Sequence, residues 1–419
     1  MPGRAAPGKL HGMDVRDARA CFPGLEGKVF LDAATVSLAP VQAREAIERF
    51  LERAVLCPER DASTHHIAMD ELRGGAVREA ATLLGAGEDE IALVESTSHG
   101  LSIAARALGL GPRDNVVTDD LEFLQVAIPW FKLVEEGSLG EVRVAQNRNG
   151  AVTVESLAER VNARTRAVVV SSVQWSNGYR LDLAALSELC RREGIFLVVD
   201  AVQELGALQL DMRRTPVDLL VAGGHKWLNA PFGCGVLYVR REIQAQLGQP
   251  SWGYLGLEPP YGGWGTYFST PSISPVRPYE FVATAKRFEL NGTSNYPGAV
   301  GLGASLALVN EIGAAQVEQR VLGLAALVRE ELEAAGARVV SRPEPETRSG
   351  ITTFTVAGDS AEDEALLQRL LEQRIYASRR YTSRVGGIRV STHYYNDEGD
   401  VERLAAAVRA ALPRRHALA

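Results

Sequence analysis

Short, uninterrupted runs of Val, Ile and Leu recur through the middle of the chain and alternate with helical patterns. Six of these runs are IALV (91–94), NVVT (115–118), AVVVSSV (167–173), IFLVVD (195–200), DLLVAGG (218–224) and CGVLYVR (234–240). Between two of them, Leu183, Leu186 and Leu189 share one side of a predicted helix that Gly194 terminates. Apolar strands without polar alternation are buried on both faces, as in a mostly parallel sheet covered by helices. The sequence therefore predicts an α/β fold around such a sheet.

The chain has 419 residues, a length that allows one large domain and a second, smaller domain. The pattern of strand and helix signals changes along the sequence. Residues 45–285 carry the alternating strands and helices. After them come Ala/Leu-rich helices, two short strand patterns and a closing helix. We predict an N-terminal segment at 1–44, a large α/β domain at 45–285 and a small C-terminal α+β domain at 286–419.

Composition and missing motifs exclude several functions. A net charge of −7 argues against a nucleic-acid surface, which needs an excess of Lys and Arg. The four scattered cysteines and the dispersed histidines give neither a disulfide framework nor a metal-ligand spacing. The glycine motifs of dinucleotide sites, P-loops and serine hydrolases are missing. With no signal-peptide pattern and no apolar run of ~18 residues, we expect a cytoplasmic protein with no membrane, nucleic-acid or metal partner.

An aspartate and a lysine stand at the ends of two predicted strands. Asp200 ends the run IFLVVD, and Lys226 follows the run DLLVAGG. Taken singly, Asp200 is a capping residue and Lys226 a solvated turn residue. However, the ligand crevice of an open α/β sheet lies at the carboxyl ends of its strands, so both side chains are expected there. Pyridoxal phosphate needs such a pair: an amine to condense with its aldehyde, and a carboxylate that keeps its ring nitrogen protonated.

The segment STSHG, after the run IALV, adds a candidate phosphate site. It offers hydroxyls and free backbone N–H groups at the start of a predicted helix, where an anion is favoured. Simple N-capping by Thr97 or Ser98 is the alternative, and both interpretations can hold at once. Together with Asp200 and Lys226, this segment favours a site for pyridoxal 5'-phosphate.

In this order the motifs resemble the class V aminotransferase superfamily of fold-type-I pyridoxal-phosphate enzymes. That superfamily includes cysteine desulfurases, selenocysteine lyases, isopenicillin N epimerase-like proteins and kynureninase-like hydrolases. The resemblance runs from about residue 29 to the C-terminus, on VFLDAATVSLAP, ESTSHG, LEFLQVAIPW, VQWSNGYRLDL, DAVQ, GGHKW, NGTSNYPGAVGLGASL and GIRVSTHYYND. It implies a fold-type-I transferase with a seven-stranded-type sheet, a smaller C-terminal domain, bound pyridoxal 5'-phosphate and a homodimer.

The resemblance also implies a role for each motif residue. Lys226 becomes the Schiff-base lysine and the base for the substrate α-proton, and Arg389 becomes the ligand of the α-carboxylate. The implied cofactor contacts are Thr97 and Ser98 (phosphate), Phe123 (ring face), Asn177 and Gln203 (ring hydroxyl), Asp200 (ring nitrogen), His225 (phosphate or ring) and Thr293 (phosphate of the other subunit). For Phe123, a place in the core is the alternative.

Three positions depart from the family pattern. Gly223 stands where desulfurases often carry a phosphate-binding serine, and one extra residue precedes the Gly-Thr pair of Thr293. The loop RIYASRRYTSRVGG (374–387) has no cysteine, although desulfurases carry their persulfide-forming nucleophile there. We therefore disfavour a persulfide-relaying desulfurase and expect Cys234, outside this loop, to serve packing.

The expected activity is that of an enzyme on a small, possibly sulfur-containing α-amino acid. A lyase (C–S or β-elimination) or an aminotransferase fits best, while an epimerase, a kynureninase-like hydrolase and a catalytically reduced scaffold or sensor are alternatives. Arg379, Arg380 and Arg384 are interpreted as a solvated basic loop, with recognition of a second anionic group on the substrate as the alternative.

Overall fold

Thirteen strands and twelve α-helices form the part of the chain that the computed structural model describes, residues 13–356 and 360–412. The strands are β1 (Val29–Phe30), β2 (Ile91–Val94), β3 (Asn115–Asp119), β4 (Glu141–Ala145), β5 (Thr165–Ser171), β6 (Phe196–Asp200), β7 (Leu219–Gly223), β8 (Gly235–Val239), β9 (Arg338–Val339), β10 (Ile351–Thr355), β11 (Ile375–Tyr376), β12 (Ser378–Thr382) and β13 (Val385–Ser391). The helices are α1 (Val41–Leu56), α2 (Ala62–Leu84), α3 (Thr97–Ala107), α4 (Leu124–Glu135), α5 (Val154–Ala158), α6 (Leu183–Glu193), α7 (Arg241–Gln244), α8 (Gly263–Phe268), α9 (Tyr296–Ile312), α10 (Ala314–Ala334), α11 (Ser360–Glu372) and α12 (Glu398–Ala411).

Seven strands form the large sheet, in the order β2-β8-β7-β6-β5-β3-β4. Only β8 runs antiparallel to its neighbours, and the other strands are parallel. Every residue of β2, β7 and β8 is buried, which explains why their sequences contain no polar alternation. The predicted α/β fold with a mostly parallel sheet is confirmed.

The edge strand β4 does not follow that pattern, and the sequence did not reveal it. Its sequence EVRVA alternates charged and apolar residues, and all of them except Ala145 are half-buried. It pairs with β3 alone, so one side of the strand has no neighbour in the sheet. A strand at an edge needs less apolar surface than one covered on both faces.

The parallel strands bring their carboxyl ends to one edge of the sheet, where the motifs of the central region meet. Ser171 at the end of β5 pairs with Asp200 at the end of β6. Asp200 in turn pairs with Val221 of β7, and Lys226 follows β7 by three residues. The predicted helix before β6 is α6, and Gly194 ends it with φ 65°, a left-handed conformation that glycine adopts without strain.

A second, antiparallel sheet in the order β12-β13-β10-β9 forms the core of the C-terminal region. The N-terminal segment packs on this region, since β1 pairs with β11 and Asp32 bridges to Ser391 of β13. Helix α9 packs against α1 and α2, whereas α10 contributes Val321 to the core of the large sheet and Leu324 to the core of the small one. The domain boundaries at 44/45 and 285/286 stay a prediction.

The segment between α7 and α9 is mostly irregular, with the short helix α8 and two 3-10 turns. It exposes several large apolar side chains, among them Trp252, Tyr261, Phe268 and Val276. Among the described residues, no single helix is long and apolar enough to cross a membrane. The bent pair α9 and α10 reaches that length and composition only when both helices are counted together, across an angle of 83°.

Candidate active site

A cavity of about 320 Å³ opens at the carboxyl edge of the large sheet, between the two sheets. Eight of the ten residues predicted for the site line it: Thr97, Ser98, Phe123, Asp200, Gln203, His225, Lys226 and Arg389. The other lining residues are Ala34, Thr35, Ser96, Gln125, Trp175, Val202 and Arg380. A larger cavity of about 660 Å³ lies at the amino ends of the parallel strands and contains none of the predicted residues.

Asp200 and Lys226 form an electrostatic pair in this pocket. Asp200 is 3% exposed, and its Oδ1 accepts a hydrogen bond from the backbone N–H of Val202 at 2.9 Å. Burial raises the pKa of Asp200 to about 6, while the charge of Lys226 acts in the opposite direction. Burial lowers the pKa of Lys226 to about 8; Asp200 opposes this shift, and two arginines of the pocket add to it. The amine is therefore much easier to deprotonate near neutral pH than an exposed lysine.

The sequence predicted an anion site at the start of α3, and the structure places the residues of this helix N-terminus at the cavity. Ser96, rather than Thr97 or Ser98, is the N-cap, and its Oγ accepts a hydrogen bond from the N–H of His99 at 3.1 Å. Thr97 is buried, and its Oγ1 has no hydrogen-bond partner in the described part of the protein. A buried, unpaired hydroxyl at a helix N-terminus fits a phosphate group.

Gly223 makes room for that hydroxyl. A Cβ atom at this position would lie 2.6 Å from Thr97 Oγ1, closer than any real contact of this kind. The serine that desulfurases often carry here does not fit beside Thr97 in its present conformation. The hydroxyl of Thr97 thus lies where the hydroxyl of such a serine would otherwise be.

The aromatic residues of the pocket surround the lysine. Phe123 is 42% exposed, so it is a pocket residue and not part of the core, and its ring centroid lies 5.8 Å from Lys226 Nζ. The ring of Trp175 packs edge-on against Phe123 with 5.4 Å between centroids. His225 stacks on Phe232 at 5.4 Å, and burial, together with Lys226, lowers the pKa of His225 to about 4. The imidazole is therefore neutral at physiological pH.

Gln203 lines the pocket beside Asp200, with both ends of its amide held by the protein. Its Oε1 accepts a hydrogen bond from Trp227 Nε1 at 2.8 Å, and its Nε2 donates to the carbonyl of Ala34 at 3.1 Å. The second hydrogen of Nε2 remains for a ligand. These bonds fix the orientation of the amide before any ligand binds.

Arg389 reaches the pocket from β13 and is 1% exposed. Its Nη1 donates to the carbonyl of Trp175 at 2.7 Å, and its Nη2 donates to Thr35 Oγ1 at 2.6 Å and to Asp32 Oδ1 at 3.4 Å. Its Nε has no partner in the described residues. Burial lowers the pKa of Arg389 to about 10, and Asp32 opposes this shift, so the guanidinium stays charged near neutral pH.

Two predicted residues lie outside the pocket. Asn177 is fully buried in the turn after β5; its Nδ2 donates to the carbonyl of Gly150 at 2.6 Å, and its Oδ1 accepts from the N–H of Tyr179 at 3.1 Å. The structure therefore gives Asn177 a role in holding this turn and places Trp175, two residues earlier, at the cavity. Thr293 is exposed and away from the cavity of its own chain. Its role toward a second subunit stays a prediction.

Trp175, Thr35 and Arg380 are pocket residues that the sequence reasoning did not assign. Trp175 and Thr35 belong to motifs that carry the resemblance, but no feature of the sequence marks them as more than structural. Arg380 was interpreted as part of a solvated loop. That interpretation holds for Arg384, which is exposed in the turn between β12 and β13, but not for Arg380, which lines the cavity.

None of the four cysteines lines the pocket. Cys21, Cys190 and Cys234 are buried, and Sγ of Cys234 donates to the carbonyl of Pro231 at 3.2 Å, in keeping with a packing role. Cys57 is exposed; its Sγ lies within 4.8 Å of ligand atoms of Glu59 and His65. Glu59 also pairs with Arg53, a cation that disfavours a metal ion at this position.

The fold and the pocket together define a class of protein. A mostly parallel seven-stranded sheet with a buried carboxylate, an amine of lowered pKa and a helix N-terminus at its carboxyl edge has the arrangement of a fold-type-I pyridoxal-phosphate enzyme. Residues 29–404 match the sequence model of the family described as Aminotransferase class-V, and the chain belongs to this family. Its cofactor is pyridoxal 5'-phosphate.

Comparison with known proteins gives distant relatives over most of the chain. A probable cysteine desulfurase of Methanothermobacter thermautotrophicus is 26% identical over 407 residues, which cover 94% of this chain and 96% of the relative. An uncharacterized aminotransferase of Bacillus subtilis, YcbU, is 27% identical and covers 72% of this chain and 75% of its own. A solved structure, the complex of the cystine C–S lyase C-DES with its reaction product cysteine persulfide, has a TM-score of 0.81 and 25% identity, over 94% of this chain and 100% of that one.

Proposed function

We propose that this protein is a pyridoxal-phosphate-dependent C–S lyase that breaks the Cβ–S bond of a small amino acid by β-elimination. The observation that carries the proposal is a pocket with Lys226, Asp200 and Arg389 but no cysteine. Sulfur that leaves the substrate then departs as a small thiol or persulfide and is not transferred to a thiol of the same pocket.

The geometry of the pocket supports the following assignment of residues to the cofactor. The phosphate is assigned to Thr97 and Ser98 at the start of α3, the ring nitrogen to Asp200 and the ring face to Phe123. Lys226 provides the covalent attachment. When bound, the cofactor supplies a protonated ring that withdraws the electron pair of the α-carbon.

Two residues of the chain would act on the substrate. Arg389 binds the α-carboxylate. Its hydrogen bonds to the carbonyl of Trp175 and to Thr35 Oγ1 keep the guanidinium oriented for this contact. Lys226, once free, takes the α-proton on Nζ, because its lowered pKa leaves a useful fraction of neutral amine near pH 7. The Cβ–S bond then breaks, the sulfur takes up a proton, and water releases the remaining fragment as pyruvate and ammonia. The products balance one substrate and one water.

Relatives support more than one outcome for the sulfur. Several relatives are named cysteine desulfurases, and this favours the alternative in which the protein itself holds the sulfur as a persulfide. The likeness to a protein described as a cystine C–S lyase supports elimination, because that reaction releases its sulfur as cysteine persulfide. The hairpin of β12 and β13 adds to this support, since it occupies the stretch where desulfurases carry their nucleophilic cysteine and contains none.

A substrate panel tests the proposal. Protein loaded with pyridoxal phosphate is incubated with L-cysteine, L-cystine, L-alanine and L-aspartate, with and without a keto acid, and pyruvate, ammonia and sulfane sulfur are measured. We expect pyruvate and ammonia in equal amounts from a sulfur amino acid without any keto acid, and none with Lys226→Ala. Keto-acid dependence would instead identify an aminotransferase, and alanine with protein-bound sulfur would identify a desulfurase.

We also propose that the active assembly is a homodimer. The proposal is supported by the exposed position of Thr293 and by the exposed aromatic side chains of the segment before α9, such as Trp252 and Tyr261. Mixing subunits tests it. If Thr293 serves the partner's site, Lys226→Ala subunits mixed with Thr293→Ala subunits regain activity, because one site of each mixed dimer is intact. A monomer in light scattering would contradict the proposal.

A further inference from the structure

Two buried carboxyl groups, those of Asp119 and Glu122, lie behind the wall of the pocket and take no part in the proposed reaction. Asp119 is the last residue of β3, and Glu122 lies in the turn between β3 and α4. They are 4% and 8% exposed, and neither lines the cavity. Burial raises the pKa of Asp119 to about 6 and the pKa of Glu122 well above its usual range.

The two carboxyl groups are in direct contact. Their side chains hydrogen-bond to each other, and Nε2 of Gln174 donates to Asp119 Oδ1 and to Glu122 Oε1, both at 3.3 Å. The backbone N–H of Ser171 also donates to Glu122 Oε1, at 2.5 Å. We call Asp119, Glu122 and Gln174 the acid cluster. Because ionised carboxylates only accept hydrogen bonds, a hydrogen bond between two carboxyl groups requires a proton on one of them.

No cation compensates the charge of the acid cluster. Within residues 13–356 and 360–412, no lysine, arginine or histidine forms an ion pair with Asp119 or Glu122. The neighbouring charges are negative, since Asp120 raises the pKa of Asp119 further and Asp200 ends the strand beside Ser171. Two buried negative charges in contact are strongly unfavourable without a cation. One proton therefore stays in the cluster near neutral pH, on Glu122, whose pKa is raised more strongly.

The residues that follow the acid cluster in sequence form part of the pocket. Phe123 follows Glu122 and is the N-cap of α4, and Trp175 follows Gln174. Both aromatic residues line the cavity, and their rings pack edge-on with 5.4 Å between centroids. The carbonyl of Trp175 accepts a hydrogen bond from Arg389 Nη1 at 2.7 Å. The acid cluster is therefore connected to the aromatic wall at two points and, through Trp175, to Arg389.

We propose that Glu122 is a positioning residue that acts as a neutral acid: its proton holds the acid cluster together, and the cluster fixes Phe123 and Trp175 at the pocket. Through the carbonyl of Trp175, the cluster also orients the guanidinium of Arg389. The inference rests on the role proposed above for Arg389 as the ligand of the α-carboxylate. Glu122 does not line the cavity, so it acts through these neighbours and not on the substrate.

Two substitutions separate positioning from proton transfer. Glu122→Gln removes the acid but keeps its shape and the hydrogen bond to Asp119, whereas Glu122→Asp keeps the acid and loses the reach of one methylene. For the amino acid that yields pyruvate, we expect KM within about twofold of natural in Glu122→Gln. In Glu122→Asp we expect KM to rise about 3- to 10-fold with a smaller change in kcat, the effect of about one misplaced hydrogen bond. The opposite order would identify a group that transfers protons and overturn the proposal.

Binding of propionate gives a readout that needs no turnover. Propionate has a carboxylate and no amine, so it tests Arg389 without reacting, and its binding to the holoenzyme is followed by thermal shift. We expect the same order, with an unchanged Kd in Glu122→Gln and a Kd about 3- to 10-fold higher in Glu122→Asp. This order in a protein that forms no pyruvate would support the inference and sink only the lyase. Equal binding of propionate by all three proteins would overturn the positioning role, whatever the activity.

Infrared spectroscopy of the holoenzyme tests the proton directly. Near neutral pH the natural protein should show the C=O band of a protonated carboxylic acid, and this band should disappear in Glu122→Gln. Glu135→Gln is the matched control, because Glu135 is exposed on α4 and pairs with Lys132 as a carboxylate; this substitution should leave the band in place. A difference spectrum between the natural protein and Glu122→Gln that contains only carboxylate bands would overturn the proposal.

Discussion

Replacing Lys226 with methionine tests whether the buried amine lowers the free energy of unfolding, as expected of a group that serves chemistry and not stability. In protein freed of cofactor, burial lowers the pKa of Lys226 from 10.5 to about 8. One pKa unit corresponds to about 1.4 kcal/mol, so the charged amine destabilises the folded state by about 3 kcal/mol at pH 7. Methionine has a similar volume and no charge. We therefore expect Lys226→Met to be more stable than the natural protein by an amount approaching this value.

The pH dependence follows from the sign of the shift. Between pH 8 and 10.5 the unfolded chain binds the lysine proton more tightly than the folded one, so the stability of the natural protein rises with pH in this window. The destabilisation by Lys226 is complete below pH 8 and disappears as the pH approaches 10.5. The advantage of Lys226→Met should fall to about 2 kcal/mol at pH 9 and below about 0.5 kcal/mol at pH 10.5.

Urea denaturation of the cofactor-free proteins from pH 7 to pH 10.5 measures the difference. Lys132→Met is the control, because Lys132 is exposed on α4 and pairs with the exposed Glu135; its effect should stay within about 0.5 kcal/mol. Equal stability of the natural protein and Lys226→Met at pH 7 would refute the reasoning. So would an advantage of Lys226→Met that grows as the pH rises.

Three further substitutions test other parts of the site. Gly223→Ala should weaken binding of pyridoxal phosphate by about 10- to 100-fold in a fluorescence titration, because its Cβ displaces the Thr97 hydroxyl and one charge-assisted hydrogen bond is lost; unchanged or tighter binding would contradict the phosphate role of Thr97. Asp200→Asn should keep the cofactor absorbance and lower kcat by about 10- to 100-fold, since the ring nitrogen loses a charged partner; a natural kcat would remove Asp200 from the mechanism. Trp175→Ala should raise KM by about 2- to 10-fold through loss of the aromatic pair while its carbonyl still orients Arg389; an unaltered KM would show that the indole is not a wall of the substrate site.

The central sheet and the cofactor pair were predictable because each leaves a local mark on the sequence. A strand covered on both faces is apolar along its length, as β7 is and as β6 is up to its last residue, Asp200. Asp200 and Lys226 then stand out as charges at the ends of such strands, where topology brings them together. The edge strand β4 and the short pair β1 and β11 leave no such mark, since neither is covered on both faces.

The second sheet shows why the substrate side of the site could not be predicted in the same way. Whether Arg379 or Arg380 enters the pocket depends on the register of β12 against β13, and a shift by one residue would exchange them. Nothing in the segment SRRYT marks one face as buried. Asn177 and Trp175 lie in the same turn, and both residue types are common in turns. Only the path of the backbone decides that Trp175 reaches the cavity and Asn177 does not.

The hairpin of β12 and β13 also bears on the proposed release of sulfur from the pocket. A cysteine that receives sulfur must travel to the substrate, which requires a segment free of regular pairing. Here every residue of 378–382 is paired with a residue of 385–389, and the turn between them, at Ser383 and Arg384, adopts positive φ angles of 44° and 66°. Regular pairing fixes the face of the hairpin on which each side chain lies, and it restricts the backbone motion that sulfur transfer to a cysteine would need. The regular pairing of β12 with β13 therefore holds Arg380 and Arg389 in fixed positions and leaves no mobile nucleophile in this hairpin.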